Sequence, residues 1–410
     1  MRVLLTQREM INRSGSELFT IEVAKELSER GHEVAIFCPR FGDLAGLVYS
    51  SGVRVKSRLI DLPWRPDVIH GQHHLQAMAA MAFYDDVPGV YFCHGINPWV
   101  ERVPLHPRFL SYLITCPWMA LRIEAEFGVD RQQIAIVPNF VNLRRFSRVR
   151  TPPPYPQRAV LFGGQGFSKA QLRELKSACK SVGLSFDALG RAYGNSVSRP
   201  EIALLDYDLV FAIGKCALEA LACGCAVIPV LPGQAGNLID PTNLEKWSFS
   251  NFSPRYFTSA SQVNASWLKE ELMRYSPGAI VELSAKVRRE NDLSRAVDTL
   301  ESHYQAAVER FSQDPSSRKS EFAAYLETIA SETESMWIEL ERARKKIESL
   351  RMQEQQASIP QEQQASIPQA IAWVRAKWRI GKKLDRRKCQ PAGTRSDNGI
   401  DRKQSALPTA

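Results

Sequence analysis

The sequence predicts an α/β protein made of two doubly wound domains facing a cleft, followed by a helical coiled coil. Three observations carry this. Short apolar runs of strand length alternate with amphipathic helical stretches from residue 2 to residue 230, the pattern of parallel sheets with helices on both faces. A stiff break, Thr151-Pro152-Pro153-Pro154-Tyr155-Pro156, divides that alternation, because proline neither pairs inside a sheet nor continues a helix. Beyond the second half, apolar residues from Phe322 to Leu350 recur at spacings of four and three, a heptad seam. The resulting plan is a Rossmann-like domain over 1–150, a second over 158–285, a closing helix over 286–312 and a coiled coil over 316–352.

In the first domain Arg2 to Thr6 reads as a buried strand, and residues 7 to 16 as a polar loop containing Ser14-Gly15-Ser16. Glu17 to Arg30 is an amphipathic helix that Gly31 ends, and Val34 to Cys38 is the next strand. Val53 to Val55 is a weak strand, and His32 a turn residue. Pro66 to His70 is a strand followed by Gly71-Gln72-His73-His74. Histidines at that density raise a metal site, but no carboxylate or thiol stands beside them and no metal is expected. Gly89 to Cys93 is a strand with His94-Gly95 at its carboxyl end, where open parallel sheets bind ligands; His94 is therefore placed for chemistry. Leu113 to Cys116 and Ile134 to Pro138 supply two more strands.

The second domain opens with a strand from Ala159 to Phe162 and the turn Gly163-Gly164-Gln165-Gly166. A helix over 171–182, a strand from Leu184 to Leu189 and a short helix from Pro200 to Leu205 follow. Next comes the stretch around which the chain is organised, LDYDLVFAIGKCALEALACGCAVIPV. Leu209 to Ile213 is a strand, Lys215 to Ala222 a helix of strong helix formers, and Ala226 to Val230 another strand. A helix opening at Gly214 aims unpaired N–H groups and the positive end of its dipole above the sheet, which suits a phosphate or diphosphate. Glu219, just over a turn further on, can accept hydrogen bonds from two neighbouring hydroxyls such as a ribose diol.

The run GKCALEALACGCAVI resembles the nucleotide-sugar signature of the retaining GT-B glycosyltransferases of the family four group. Glu219 matches the ribose-binding Glu and Gly214 the phosphate-binding turn, while Phe211 replaces the first Glu, which touches the donor sugar. GSELFTIEVAKELSERGHEVAIFCP is similar to the amino-terminal opening of these enzymes, with Gly15 and Ser16 in the loop that approaches the donor phosphates. Pro66 to His70 resembles a Pro-Asp-Val-x-His segment, and His94-Gly95 a His-Gly beside the donor sugar. In IAIVPNFVNLRRF, Pro138 and Asn139 match, whereas Phe140 and Asn142 depart. Gly163 and Lys169 match a Gly-Arg-x-x-x-x-Lys phosphate clamp whose Arg is replaced by Gly164; Lys215 is the candidate to supply the missing charge.

The resemblance implies a GT-B fold and retaining transfer from a nucleotide-sugar donor to a glycan or lipid-linked acceptor, as in polysaccharide biosynthesis, with no metal or other cofactor. It implies catalytic roles for His94, Lys169 and Glu219. It implies donor binding by Gly15, Ser16, Gly163, Gly214, Lys215 and Glu219. The losses at Phe211 and Gly164 keep a second reading open, a catalytically weakened scaffold that oligomerises through its coiled coil.

The rest of the chain bounds the setting. Of the 410 residues, 44% are hydrophobic, enough for sizeable cores, and the net charge of +9 is concentrated at the carboxyl-terminal end rather than spread along a nucleic-acid groove. Eight cysteines without a CxxC pair predict buried thiols in a reducing compartment, and no run approaches transmembrane length, so a cytoplasmic body is expected. The seam at 322–350 predicts self-association. An exact tandem repeat, QEQQASIP, makes 353–368 a linker; 369–390 is a basic amphipathic segment, whose residues 371–388 suit an anionic membrane surface; 391–410 reads as disordered.

Overall fold

A computed structural model describes residues 1–95, 99–164, 166–257, 262–311 and 318–357. The described chain forms two units, residues 1–327 and the residues from Thr328 onward.

Residues 1–327 hold both α/β halves. In the amino-terminal half, β1 (Arg2–Thr6) leads to α1 (Gly15–Glu29), β2 (Glu33–Phe37), β3 (Arg54–Lys56) and β4 (Val68–Gly71). Then come α2 (His74–Phe83), β5 (Gly89–Cys93), β6 (Phe109–Ile114), α3 (Pro117–Phe127) and β7 (Ile134–Ile136). The seven strands pair in parallel in the order β3-β2-β1-β4-β5-β6-β7. The order reverses between β1 and β4, so the crevice outside their carboxyl ends is the expected ligand position. Continuous apolar strands such as Val3, Leu4 and Leu5 fit a sheet covered on both faces.

In the carboxyl-terminal half, β8 (Arg158–Phe162), α4 (Lys169–Ser181), β9 (Ser185–Leu189), β10 (Leu209–Phe211), α5 (Gly214–Ala222) and β11 (Ala226–Ile228) follow in turn. Its parallel sheet has the order β9-β8-β10-β11, with a reversal between β8 and β10. Two helices, α6 (Ala265–Leu272) and α7 (Pro277–Glu290), complete this half.

The closing segment differs from the single helix expected over Lys286 to Phe311. Helix α7 ends at Glu290 and α8 (Leu293–Arg310) begins after Asn291 and Asp292. The cause is long-range: the Val141 N–H donates to the Asn291 carbonyl at 2.7 Å, and the Leu293 N–H donates to the Val141 carbonyl at 3.0 Å. The Asn291 amide also donates to the Asn139 carbonyl at 3.1 Å. The chain changes cores across this break. Leu283 and Val287 of α7 pack in the carboxyl-terminal core, whereas Val297, Leu300 and Tyr304 of α8 pack in the amino-terminal core. Arg30 and His32 fasten α8 there through Asp298 and Glu301. The same change happens earlier between Phe140 and Val141, ahead of the proline-rich stretch expected to carry it.

The last described element is α9 (Arg318–Ala357), a 40-residue helix. Its start is docked in the first unit: Tyr325 is buried and its hydroxyl meets His74 Nδ1 at 2.9 Å. From Leu326 onward the seam residues Leu326, Met336, Leu340, Ile347 and Leu350 are exposed. The helix runs five residues into the stretch expected to be a linker; the rest of that stretch, the basic segment 369–390 with its expected membrane contact, and the tail lie outside the described residues. Among the described residues the cysteines are free and no helix is long and apolar enough to cross a membrane.

Candidate active site

The crevice at the β1–β4 reversal is lined by a buried polar network. Thr6 Oγ1 donates to the Gln72 carbonyl and accepts the Gln72 N–H, each at 2.8 Å, which ties the ends of β1 and β4 together. Gln72 Nε2 donates to Thr20 Oγ1 on α1 at 3.1 Å, and Thr20 Oγ1 lies 3.0 Å from Gln7 Oε1. The free end of this network is His94, whose Nε2 meets Gln72 Oε1. Because the Gln72 oxygen accepts, His94 carries its proton on Nε2 and keeps Nδ1 as an acceptor. Burial first, and the neighbouring His73 and His70 next, hold the His94 imidazole well below the usual histidine range, so it is neutral at pH 7. Its backbone N–H donates to the buried Glu101 carboxylate at 2.9 Å, and Arg122 holds the next carbonyl, that of Gly95, at 3.0 Å.

The β8–β10 reversal carries the second half of the site. Gly163 follows β8 with φ +125 and Gly214 follows β10 with φ +56, both in the region that favours glycine. The Gly214 N–H donates to the Asn251 carbonyl at 3.0 Å. The Asn251 side chain accepts from Asn139 Nδ2 at 2.8 Å, so the opening turn of α5 is braced by the segment that joins the halves. Glu219, one turn and a residue along α5, is buried, and burial raises its carboxyl to about 7 against the opposing pull of Lys215.

Aromatic and charged contacts join the two reversals. The Phe19 ring on α1 lies edge-on to His94 at 4.7 Å and 5.2 Å from Phe140. Lys215 Nζ sits 4.2 Å over the Phe140 ring, donates to the Phe140 carbonyl at 2.9 Å and pairs with Glu22 of α1 at 2.7 Å. Arg145 approaches Glu22 at 3.5 Å and Glu201 at 3.0 Å. Three cations, Lys215, Arg145 and Arg199, thus pair with Glu22 and Glu201, whereas buried Glu219 makes no ion pair among the described residues.

Residues 13–145 match the model described as Glycosyltransferase Family 4. A glycosyltransferase from Rickettsia africae ESF-5 has a similar structure, with a TM-score of 0.54 at 13% identity over 76% of this chain and 99% of that one. Anabaena Alr3699/HepE in complex with UDP and glucose gives 0.52 at 12% identity, over 75% of this chain and 100% of that one. With UDP alone it gives 0.53 at 13%, over the same shares. The fold is GT-B. No curated protein matches the chain.

Within the GT-B frame, the expected residues fall into three groups. His94 follows β5 and reaches the amino-terminal reversal through Gln72, and Gly15 and Ser16 open α1, whose Phe19 packs on His94. Ser16 is engaged there, its Oγ 3.2 Å from Glu17 and its carbonyl accepting from Thr20 at 2.9 Å. Gly214 and Glu219 share one helix at the other reversal, and Gly163 follows the strand paired with theirs. Lys169 stands apart. It is the first residue of α4, exposed, behind a capping box made by Ser168 and Gln171, and no ion pair to it is present among the described residues.

Lys215 is corrected. It was expected to face a diphosphate; it is instead committed to Glu22 and the Phe140 carbonyl, as a clamp between the halves. Phe211 is fully buried, packing towards Phe186 and Trp267 at 6.4 Å each, so no side chain there replaces the missing carboxylate. The histidine run is structural: His70 Nδ1 meets the Tyr304 hydroxyl at 2.6 Å, His74 meets Tyr325, and His73 accepts the Arg8 N–H at 3.3 Å. Sequence reasoning missed Gln72, Glu22, Phe19 and Arg145. The one local sign was an acidic residue, Glu22, in the apolar run Ile21-Glu22-Val23-Ala24 of a helix.

Proposed function

We propose that the chain transfers a sugar from a nucleotide-sugar donor to an acceptor hydroxyl on a glycan or lipid-linked glycan, with retention of configuration. The observation that carries this is α5. It opens on a positive-φ glycine at a topological switch point and buries an unpaired-charge carboxylate, Glu219, just over one turn later. Helix N–H groups suit a diphosphate, and the carboxylate suits a ribose diol. As the glycosidic bond to the leaving diphosphate breaks, negative charge grows on the phosphate oxygens, and the α5 amino terminus is oriented in advance to stabilise it. No metal is invoked for that role. Neutral His94, held in one tautomer by Gln72, positions the donor sugar at the opposite wall. Lys169, exposed at the start of α4, contributes charge only as far as the donor reaches that edge. UDP, the nucleotide bound in the Anabaena structure, is the first donor base to try.

The test is donor turnover. UDP-sugars are incubated with the protein and released UDP is measured, with His94→Ala beside the wild type. The reading expects turnover that falls about 100-fold in the variant with UDP affinity kept. UDP binding with no turnover of any donor would instead favour the scaffold reading, which the buried Phe211 in place of a carboxylate supports.

A further inference from the structure

We propose that α9 pairs antiparallel with the same helix of a second copy of this chain, through the seam from Leu326 to Leu350. The observation that requires a partner is exposure. Leu326, Met336, Leu340, Ile347 and Leu350 are each 43 to 50% exposed on one stripe of the helix, with Trp337 and Ile338 exposed beside it. The stripe repeats every 3.5 residues. A straight helix drifts away from that period, so the stripe stays continuous only when it supercoils against another helix.

Two further features identify that partner and its direction. The seam is nearly palindromic about residue 338. Leu326 mirrors Leu350, Ile329 mirrors Ile347, Thr333 mirrors Ala343 and Met336 mirrors Leu340. A two-fold axis at that point puts Leu on Leu, Ile on Ile, small on small and long on long, which is what a core of even volume needs. Every such layer joins an a position to a d position, the layer composition of antiparallel pairs. The charges run the same way. From Glu327 to Glu341 there are five Glu and no Lys or Arg, whereas from Arg342 to Arg351 there are five cations against Glu348 alone. A parallel pair stacks acid on acid and base on base. The antiparallel pair lays residues 327–334 of one copy, with three Glu, along residues 342–349 of the other, with four cations, and puts Glu332 beside Lys346 of the second copy; like charges along a seam cost specificity as well as energy. The paired stretch spans about 37 Å, long enough for four heptad layers at each side of the axis to exclude water together.

Light scattering on the full chain should give twice the 46.2 kDa of one copy, and Leu340→Glu should return it to one. Direction is read by oxidative crosslinking in a Cys389→Ser background, which must itself show no link. Leu326→Cys alone and Leu350→Cys alone should each fail to link, whereas the double variant should give a covalent dimer. A monomeric full chain would overturn the proposal, whether α9 packs on its own body or waits for another protein. Efficient linking by either single variant would overturn it too, because only a parallel pair brings identical positions together.

Discussion

Burial raises the Glu219 carboxyl to about 7, and the effect has a definite sign in stability. Between pH 4.5 and about 7 the folded chain keeps a proton that the unfolded chain has lost. The stability held below pH 4.5 is therefore given up as pH rises through the folded value. In denaturant unfolding between pH 4.5 and about 7 the wild type should lose roughly 3 kcal/mol of stability relative to Glu219→Gln, because the buried histidines and the other carboxylates titrate alike in both and cancel in the difference; equal slopes for the two would contradict it. Ribose binding has the opposite dependence, since only the ionised carboxylate accepts from both hydroxyls, so UDP affinity should climb through pH 7. Lys215 makes a separate prediction. Removing the cation strands Glu22, which is almost wholly buried with Arg145 as its remaining charge partner at 3.5 Å. Lys215→Met should cost roughly 3 kcal/mol, read as a lowered denaturation midpoint. An unchanged midpoint would mean the clamp holds nothing. Nothing local in the sequence announces the Lys215–Glu22 pair, because its members lie 193 residues apart.

Helix α5 shows what can be read from an element and what cannot. Its start, its acidic residue and its Cys223-Gly224 end were all visible in GKCALEALACG, because glycine placement and helix propensity are local properties. The brace from Asn251 was not, since that residue arrives from a loop. At φ +56, Gly214 occupies a conformation that an alanine adopts at a cost of about 1 to 2 kcal/mol, and an added Cβ would stand 3.6 Å from the Asn251 amide, in ordinary contact. Gly214→Ala should therefore lower stability by about that amount through backbone strain and weaken UDP binding by shifting the helix opening. A calorimetric titration with UDP beside a melting curve checks both. Strands such as Gly89–Cys93 were legible to the residue, being short, apolar and β-branched or aromatic. The break between α7 and α8 was hidden, because Val141 imposes it from 150 residues away in sequence.

At the scale of the whole molecule, two sheets of opposite chain position are joined twice, at Phe140–Val141 going out and at Asn291–Asp292 coming back. Composition marked the first crossing late, at the proline-rich stretch, because a single β-bridge leaves no compositional trace. The two-domain plan and the long carboxyl-terminal helix were legible all the same, since each rests on periodicity over many residues. The candidate site was legible where it depends on one turn and one helix, and illegible where it depends on the approach of the two halves: Phe19 against Phe140, Glu22 against Lys215, Gln72 against His94. Those contacts make the central claim a claim about both halves at once, that a nucleotide seated on α5 is what this cleft is shaped to receive. Thermal unfolding of the full chain with and without UDP tests it most directly, because a ligand that binds only the folded state raises the midpoint by mass action. The account predicts a clear rise for the wild type, by about 2.7 kcal/mol of added stability at a hundredfold excess over Kd, and none for Glu219→Ala. A rise that survives in Glu219→Ala, or no rise with any nucleoside diphosphate in a well-folded sample, would contradict it.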